Sequence, residues 1–289
     1  MEVVPSSAVG SVLRAPDQFI TQQYAITTQT FHHLGNRAYE NTAELQIEVA
    51  PLGPGPGGPV LRVALRKFHE TNPRGLNQLD PLLAELKQEL LVETDATGAL
   101  GRVLNKEQLA QKYQELRPAL LRQAENLPLL TPAVINNIGL LFAGDGYLED
   151  ILRASPEYGL LLPGLYGRAY SAEPTALGPR LLPRIFGNVD VPLRLAATRT
   201  PTVPPDVAYG VYVTGAVDEE NYRAGELQQA LRAVTDCFDL AVALRLRHQE
   251  SYEFDALGRL RYAARLSHYG VAGVFSTQQV CTLQPTIFT

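Results

Sequence analysis

Alternation of apolar and polar residues is the strongest pattern along this chain. Leu45, Ile47 and Val49 alternate with Glu44, Gln46 and Glu48, and Leu61, Val63 and Leu65 alternate with Arg62, Ala64 and Arg66. A period of two sends one row of side chains into a core and the other into water, so these runs predict antiparallel strands packed on one face. With Val49 opposite Leu61, Glu48 faces Arg62 and Glu44 faces Arg66, both favourable cross-strand pairs. A Gln- and Thr-rich strand precedes them over 19–32. The same alternation returns late, in Val191, Leu193 and Leu195, then in Val207, Tyr209, Val211 and Val213. Strands over 241–255, 259–269 and 271–284 close the chain.

Helical spacing fills the gaps between these runs. Leu79, Leu82, Leu83, Leu86 and Leu90 share one face of a helix over 80–91, with Asp80 as N-cap and Pro81 in its first turn. A short hairpin follows, 91–95 with 99–104. Asn105 and Gln108 have capping-box spacing ahead of a helix with Leu109, Tyr113, Leu116 and Leu120 inward, and Pro118 is expected to kink or divide it. Thr131-Pro132 opens a third helix ending near Gly144, and Tyr147, Leu148, Ile151 and Leu152 make a short fourth. Another runs over 219–238, capped by Asp218, with Leu227, Leu231, Val234 and Phe238 inward. Residues 155–190, dense in Pro, Gly and Leu, predict irregular but packed chain. Their run GLLLPGLYG at 159–167 reads as core, because large exposed apolar patches are uncommon on monomers.

One motif occurs twice. Glu93, Asp95, Ala96, Gly98 and Leu100 match Glu253, Asp255, Ala256, Gly258 and Leu260, 160 residues on. Each copy ends a strand, strand, helix, strand, strand order, and each Gly suits the left-handed position of a three-residue hairpin loop. Either the chain is duplicated, or good hairpin chemistry was found twice. The fold class is therefore α+β: two antiparallel-sheet halves joined by a helical insert. The boundaries are a flexible arm at 1–16, a first half at 17–104, a helical and Pro/Gly-rich insert at 105–185 and a second half at 186–289.

Composition narrows the function classes. Of 289 residues 45% are apolar and 19% charged, which excludes disordered, collagen-like and coiled-coil chains. The net charge of −5 argues against general nucleic-acid binding. No 18-residue window is free of polar residues, so no membrane span is expected. Cys237 and Cys281 have neither metal-ligand nor redox spacing, and the first residues do not read as a secretory signal, so the reading is cytoplasmic. Gly53, Gly55 and Gly58 spell G-x-G-x-x-G, but a strand follows instead of a helix, and the interleaved prolines lack the amide donors that bind phosphate. No cofactor is implied.

The last hairpin holds the candidate site residues. With Phe254 opposite Leu260, Tyr252 opposite Tyr262 and Glu250 opposite Ala264, the outward face carries Arg245, Arg247, Arg259, Arg261 and Arg265. Five arginines on one face offer a protein partner a surface for carboxylates. A solvated face partly neutralised by Glu253 and Asp255 is the plainer reading. The inward face carries His248, Glu250 and His268, two imidazoles and a carboxylate of the kind that ligates zinc or iron.

The stretch Glu93, Asp95, Gly98, Leu100, Asn105-Lys106-Glu107, with Leu162-Pro163-Gly164-Leu165-Tyr166-Gly167 after a helical insert, resembles an uncharacterised bacterial family associated with phage-tail-like and type VI secretion gene clusters. The resemblance implies an accessory, adaptor or assembly role and transfers no catalytic residues. The expected function is thus a non-enzymatic adaptor or assembly protein, with a protein partner and an open oligomeric state. The alternatives are an apolar-ligand carrier with a sheet-lined cavity, and a metal-dependent hydrolase using His248, Glu250 and His268.

Overall fold

The computed structural model describes residues 11–17, 19–73, 75–125, 127, 132–144, 146–186, 189–201, 206–235 and 242–287. Expectations for 1–10, Thr131, Asp145, Cys237 and Phe238 lie outside them. The strands are β1 (Ser11–Val12), β2 (Gln22–Leu34), β3 (Arg37–Pro54), β4 (Pro59–Glu70), β5 (Glu89–Thr94), β6 (Leu100–Val103), β7 (Ala169–Tyr170), β8 (Thr175–Ala176), β9 (Arg180–Phe186), β10 (Val189–Thr200), β11 (Tyr209–Val217), β12 (Leu244–Phe254), β13 (Leu260–Val271) and β14 (Phe275–Pro285). The helices are α1 (Asp80–Leu86), α2 (Lys106–Ala124), α3 (Pro132–Ala143), α4 (Tyr147–Ala154), α5 (Pro156–Leu161) and α6 (Ala224–Thr235).

The two predicted sheet halves are one open antiparallel sheet of 12 strands, ordered β6-β5-β4-β3-β2-β14-β13-β12-β11-β10-β8, with β9 also on β10. β2 and β14 form the join, from Tyr24 opposite Pro285 to Leu34 opposite Phe275. On either side lies a meander, β2 to β6 and β9 to β13. Each inserts a helix between its third and fourth strand, and both step across the sheet in the same direction. Their last hairpins share the same backbone amide bonds. Asp95 Oδ1 accepts the amides of Thr97 and Ala99, and Asp255 Oδ1 those of Leu257 and Arg259. Gly98 (φ +80°) and Gly258 (φ +76°) take the left-handed position, which side chains disfavour. One residue past each loop the ladder skips a residue, Gly101 in one copy and Arg261 in the other.

Registers differ from the expectation wherever a bulge intervenes. Val49 pairs with Val63, not Leu61, because β3 and β4 stay paired out to Pro54 and Pro59, with Leu52 and Arg66 as extra residues along the ladder. Arg62 and Arg66 then converge on one carboxylate, Glu48, at 2.8 and 2.7 Å. The glycine-rich tip closes through Gly55 N donating to Gly58 O, and Gly57 N donates to Glu93 Oε1. Several predicted caps do other work. Asn105 accepts Leu91 N and donates to Glu89 O, which fastens β5 to the start of α2. Asp218 accepts from Asn221 in a turn ahead of α6. α1 stops at Leu86, so Leu90 belongs to β5, and α2 continues through Pro118.

One face of the sheet is packed. Its core spans both meanders, from Ile47 and Leu90 to Val211, Phe254 and Leu283, while Leu79, Leu86, Tyr113, Leu120 and Ile135 form a smaller core among α1, α2 and α3. The 159–167 run lies inside: Leu160, Leu161, Leu162, Leu165 and Tyr166 are buried. It begins as α5, a helix absent from the expectation, capped by Ser155 Oγ accepting Tyr158 N. Tyr166 reaches both repeated loops. A Cβ on Gly98 would stand 2.5 Å from its ring, and its hydroxyl donates to Gly258 O at 3.0 Å. Residues 11–16, expected within a flexible arm, are tied down: β1 pairs with β7, Leu13 is buried, and the Arg14 carbonyl lies against Gly258.

Removing the side chain of Leu160, which is fully buried, should cost about 2–5 kcal/mol by the combined transfer and cavity terms. Leu140, 63% exposed on α3, should tolerate alanine within about 0.5 kcal/mol. Urea unfolding of both variants checks this; equal losses would place the 159–167 run outside the core.

Candidate functional site

The five arginines divide. Phe254 faces Leu260 as expected, but Arg261 is an extra residue, and beyond it Glu253 faces Tyr262, Tyr252 faces Ala263 and Glu250 faces Arg265. A shift of one residue exchanges the faces of a strand. Arg265 therefore points inward and is 2% exposed, while His268 points outward and is exposed. This corrects both assignments. Arg259 is paired with Asp255 at 2.8 Å and Arg261 with Asp206 at 3.5 Å. Arg245 and Arg247 are exposed and carry no ion pair among the described residues.

Around these two, the sheet register assembles a basic dent. Arg247 faces His268, which faces Gln278; Arg245 faces Gly270, which faces Ser276, which faces His33. Gly270 puts no side chain into the row. Beside it lies a hollow of about 470 Å³ whose lining includes Arg245, Arg247, His268, His33 and Ser276. Arg247 Nε donates to Gln249 Oε1 at 2.9 Å, which holds the guanidinium along its own strand. His33 comes from β2, at the other end of the chain, and no local motif marks it.

On the inner face, Glu250 is the centre of a buried polar network. It accepts from Arg180 Nη1 of β9 and from Tyr252 Oη at 2.8 Å, and its Oε1 lies 3.1 Å from His248 Nε2 and 3.9 Å from Arg265 Nε. His248 Nδ1 lies 2.9 Å from Ser267 Oγ. Arg265 reaches Ala154 O, the last carbonyl of α4, at 3.5 Å. Burial works to raise the Glu250 carboxyl, but Arg180, the His248 hydrogen bond and Arg265 outweigh it and hold it well below the usual range. Burial likewise lowers the His248 imidazole; Glu250 opposes that, and the two guanidiniums add to it.

The connectivity Ser267–His248–Glu250 is that of a nucleophile, a base and an orienting carboxylate. Acyl transfer needs the hydroxyl to meet a substrate carbonyl, and here Ser267, His248 and Glu250 are each at most 2% exposed. The network neutralises Arg180 and Arg265 in the core, a structural task. The proposed metal trio is not formed, since His268 is on the opposite face from His248 and Glu250. Among the described residues no three His, Cys, Asp or Glu converge on a metal position. Nor is any helix among them long and apolar enough to cross a membrane.

No protein-family model matches the chain, and no curated protein does. Among solved structures, one titled "Lipid-protein interactions in lipovitellin" aligns with a TM-score of 0.46 at 10% identity, over 92% of this chain and 25% of that one. The chain thus spans a quarter of that protein's length.

The buried network sets an acid limit on stability. His248 binds its proton less readily folded than unfolded, so as the pH falls below its ordinary 6.5 the unfolded chain takes up more protons and stability drops. Glu250 adds a second loss below 4.5, as the unfolded carboxyl protonates first. His32, whose imidazole desolvation also lowers, acts like His248. Asp80, pushed up to about 6 by burial and by Glu70 and Glu157, acts in the opposite sense, because its folded form protonates first. His248→Asn isolates one of these groups. Between about pH 7 and about pH 5.5 the urea midpoint should fall less steeply in the variant than in the wild type; equal slopes would mean that His248 does not titrate with unfolding.

Proposed function

We propose that this chain is a non-enzymatic adaptor or assembly protein that docks an acidic partner on the outer face of its sheet. The observation that carries this reading is the dent at Gly270, where Arg245 and Arg247 stand beside His33 and His268. A guanidinium fork matches a carboxylate in geometry and charge, and two of them free of internal carboxylates keep that capacity for a partner. A molecule of net charge −5 gains local attraction for an acidic partner only where basic groups cluster. The role agrees with the assembly function that the secretion-cluster resemblance implies. Cys281, buried and unpaired, suits the reducing cytoplasm.

We also infer that the two meanders descend from one duplicated unit. Supporting this are the shared element order and the matched hydrogen bonds of the two hairpin loops. Sequences of relatives test it: the two copies should agree at more positions in some of them, and no gain in agreement anywhere would count against it.

A poly-glutamate peptide is a sufficient probe of the dent. Arg247→Glu should weaken its binding by about tenfold or more, while Arg261→Glu, with the same change in net charge, should leave it within about twofold. Equal effects of the two variants would reduce the dent to general electrostatics and overturn the docking role.

A further inference from the structure

The sheet core and the helical core do not close on each other. Between them lies a cleft of about 610 Å³. Its walls are apolar: Leu83 and Leu86 from α1, Ile138 and Phe142 from α3, Leu148 and Leu152 from α4. The apolar lining continues to the surface, where Val134 and Ile151 are 38% and 43% exposed. A sheet-lined cavity was the sequence expectation for a carrier; this one is lined by helices, with a single strand contributing at its side.

That contribution is Arg184 of β9. β9 pairs with β10 at Phe186 opposite Val189 and again at Leu182 opposite Val191, so four residues of β9 span two of β10. Arg184 sits in this bulge at φ +51°, the one non-glycine residue with positive φ among those described. Its amide is held by Asp190 Oδ1 at 2.8 Å. A side chain in the left-handed region is strained, and glycine would relieve the strain. Bulges re-aim side chains beside binding sites, and here the bulge brings Arg184 to the cleft. Arg184 carries no ion pair among the described residues, and neither does Lys87, the second cation of the lining. The lining thus holds two cations against one carboxylate, Asp80.

We propose that this seam binds an amphipathic anion with one apolar chain and a terminal carboxylate, the chain lying among α1, α3 and α4 and the carboxylate meeting Arg184. An apolar cleft of several hundred cubic ångströms with few polar groups is the usual form of a small-molecule site, and sites favour the boundary between two packed units. The unpaired cation selects an anion over a neutral or cationic amphiphile.

The test is calorimetric titration of the full chain with dodecanoate, dodecanol and dodecyltrimethylammonium, all below micelle formation. Dodecanoate should saturate one site with a negative heat-capacity change, and the ammonium analogue should bind at least about tenfold more weakly. Arg184→Gly should raise the urea midpoint by relieving the strained backbone, yet lower dodecanoate affinity by about tenfold while leaving dodecanol unchanged. The chain contains no Trp, so Ile138→Trp both fills the cleft and reports its occupancy by fluorescence; it should abolish binding of all three. Absence of saturable dodecanoate binding would overturn the proposal. So would equal affinity for the ammonium analogue, or dodecanoate affinity that is unchanged in Arg184→Gly. Undiminished binding by a folded Ile138→Trp would place the ligand elsewhere and overturn it equally.

Discussion

Side chains alternate along a strand, so one inserted residue exchanges the two faces of everything beyond it. In β13 that residue is Arg261. Inward, the exchange buries Arg265, and a buried guanidinium requires a carboxylate. Glu250 provides it, and in turn draws in Arg180 from β9, Tyr252 and His248. Through Arg265 the network also reaches the end of α4, so the helices are positioned on the sheet by charge as well as by apolar contact. Outward, the same exchange brings His268 beside Arg247 and leaves Gly270 as the floor of the basic dent. The core network and the basic dent are two consequences of one bulge.

Bulges explain what the sequence could not disclose. The strands themselves were legible, because alternation is a direct record of one packed face, and the two hairpin loops were legible because Asp95, Gly98, Asp255 and Gly258 are residues whose chemistry demands a turn. Neither signal locates an extra residue. Arg261 and Arg66 are polar residues in polar surroundings, and no apolar periodicity registers the skip. The registers drawn across them therefore failed, including Glu44 opposite Arg66 and the inward His268; Arg62 opposite Glu48 failed because the strands pair further toward the tip than the Pro/Gly run suggests. The dent was half legible: Arg245 and Arg247 lie before the bulge in sequence and were placed correctly on the outer face, while His33 arrives through the β2–β14 join, a contact between the two ends of the chain. α5 was hidden for a different reason. Six residues with two of Pro and Gly give no helical period, and only the Ser155 cap, N-terminal to Pro156, marks its start.

The sheet ends on one side in β6, whose four residues offer little unpaired backbone to another chain, and on the other in β8 and the seven-residue β9, both paired to β10. The length of the sheet is accommodated by curvature. Tyr166 touches Gly98 at the end of one meander and Gly258 at the end of the other, although five strands separate β5 from β12 in the sheet order. A flat sheet with strands about 4.8 Å apart would hold those loops too far apart for one side chain. The apolar 159–167 run is thus the post around which the sheet curls; Gly98 makes room for the Tyr166 ring, and Gly258 for the Arg14 carbonyl.

Buried charge and strained backbone receive opposite treatment in this molecule. At Glu250 the carboxylate is surrounded by donors and neutralises the cations near it, while Arg265 Nε, 3.9 Å away, has charge contact but no hydrogen bond. At Arg184 a residue with a Cβ is held in a left-handed conformation at an exposed bulge, with its guanidinium outside any internal ion pair. Glycine would suit that backbone better, and no contact described for the Arg184 side chain repays the strain. The Glu250 network meets buried charge with opposite charge. Arg184 has no such ion pair among the described residues, and its place on the lining of an apolar cleft is where an anionic ligand would supply one.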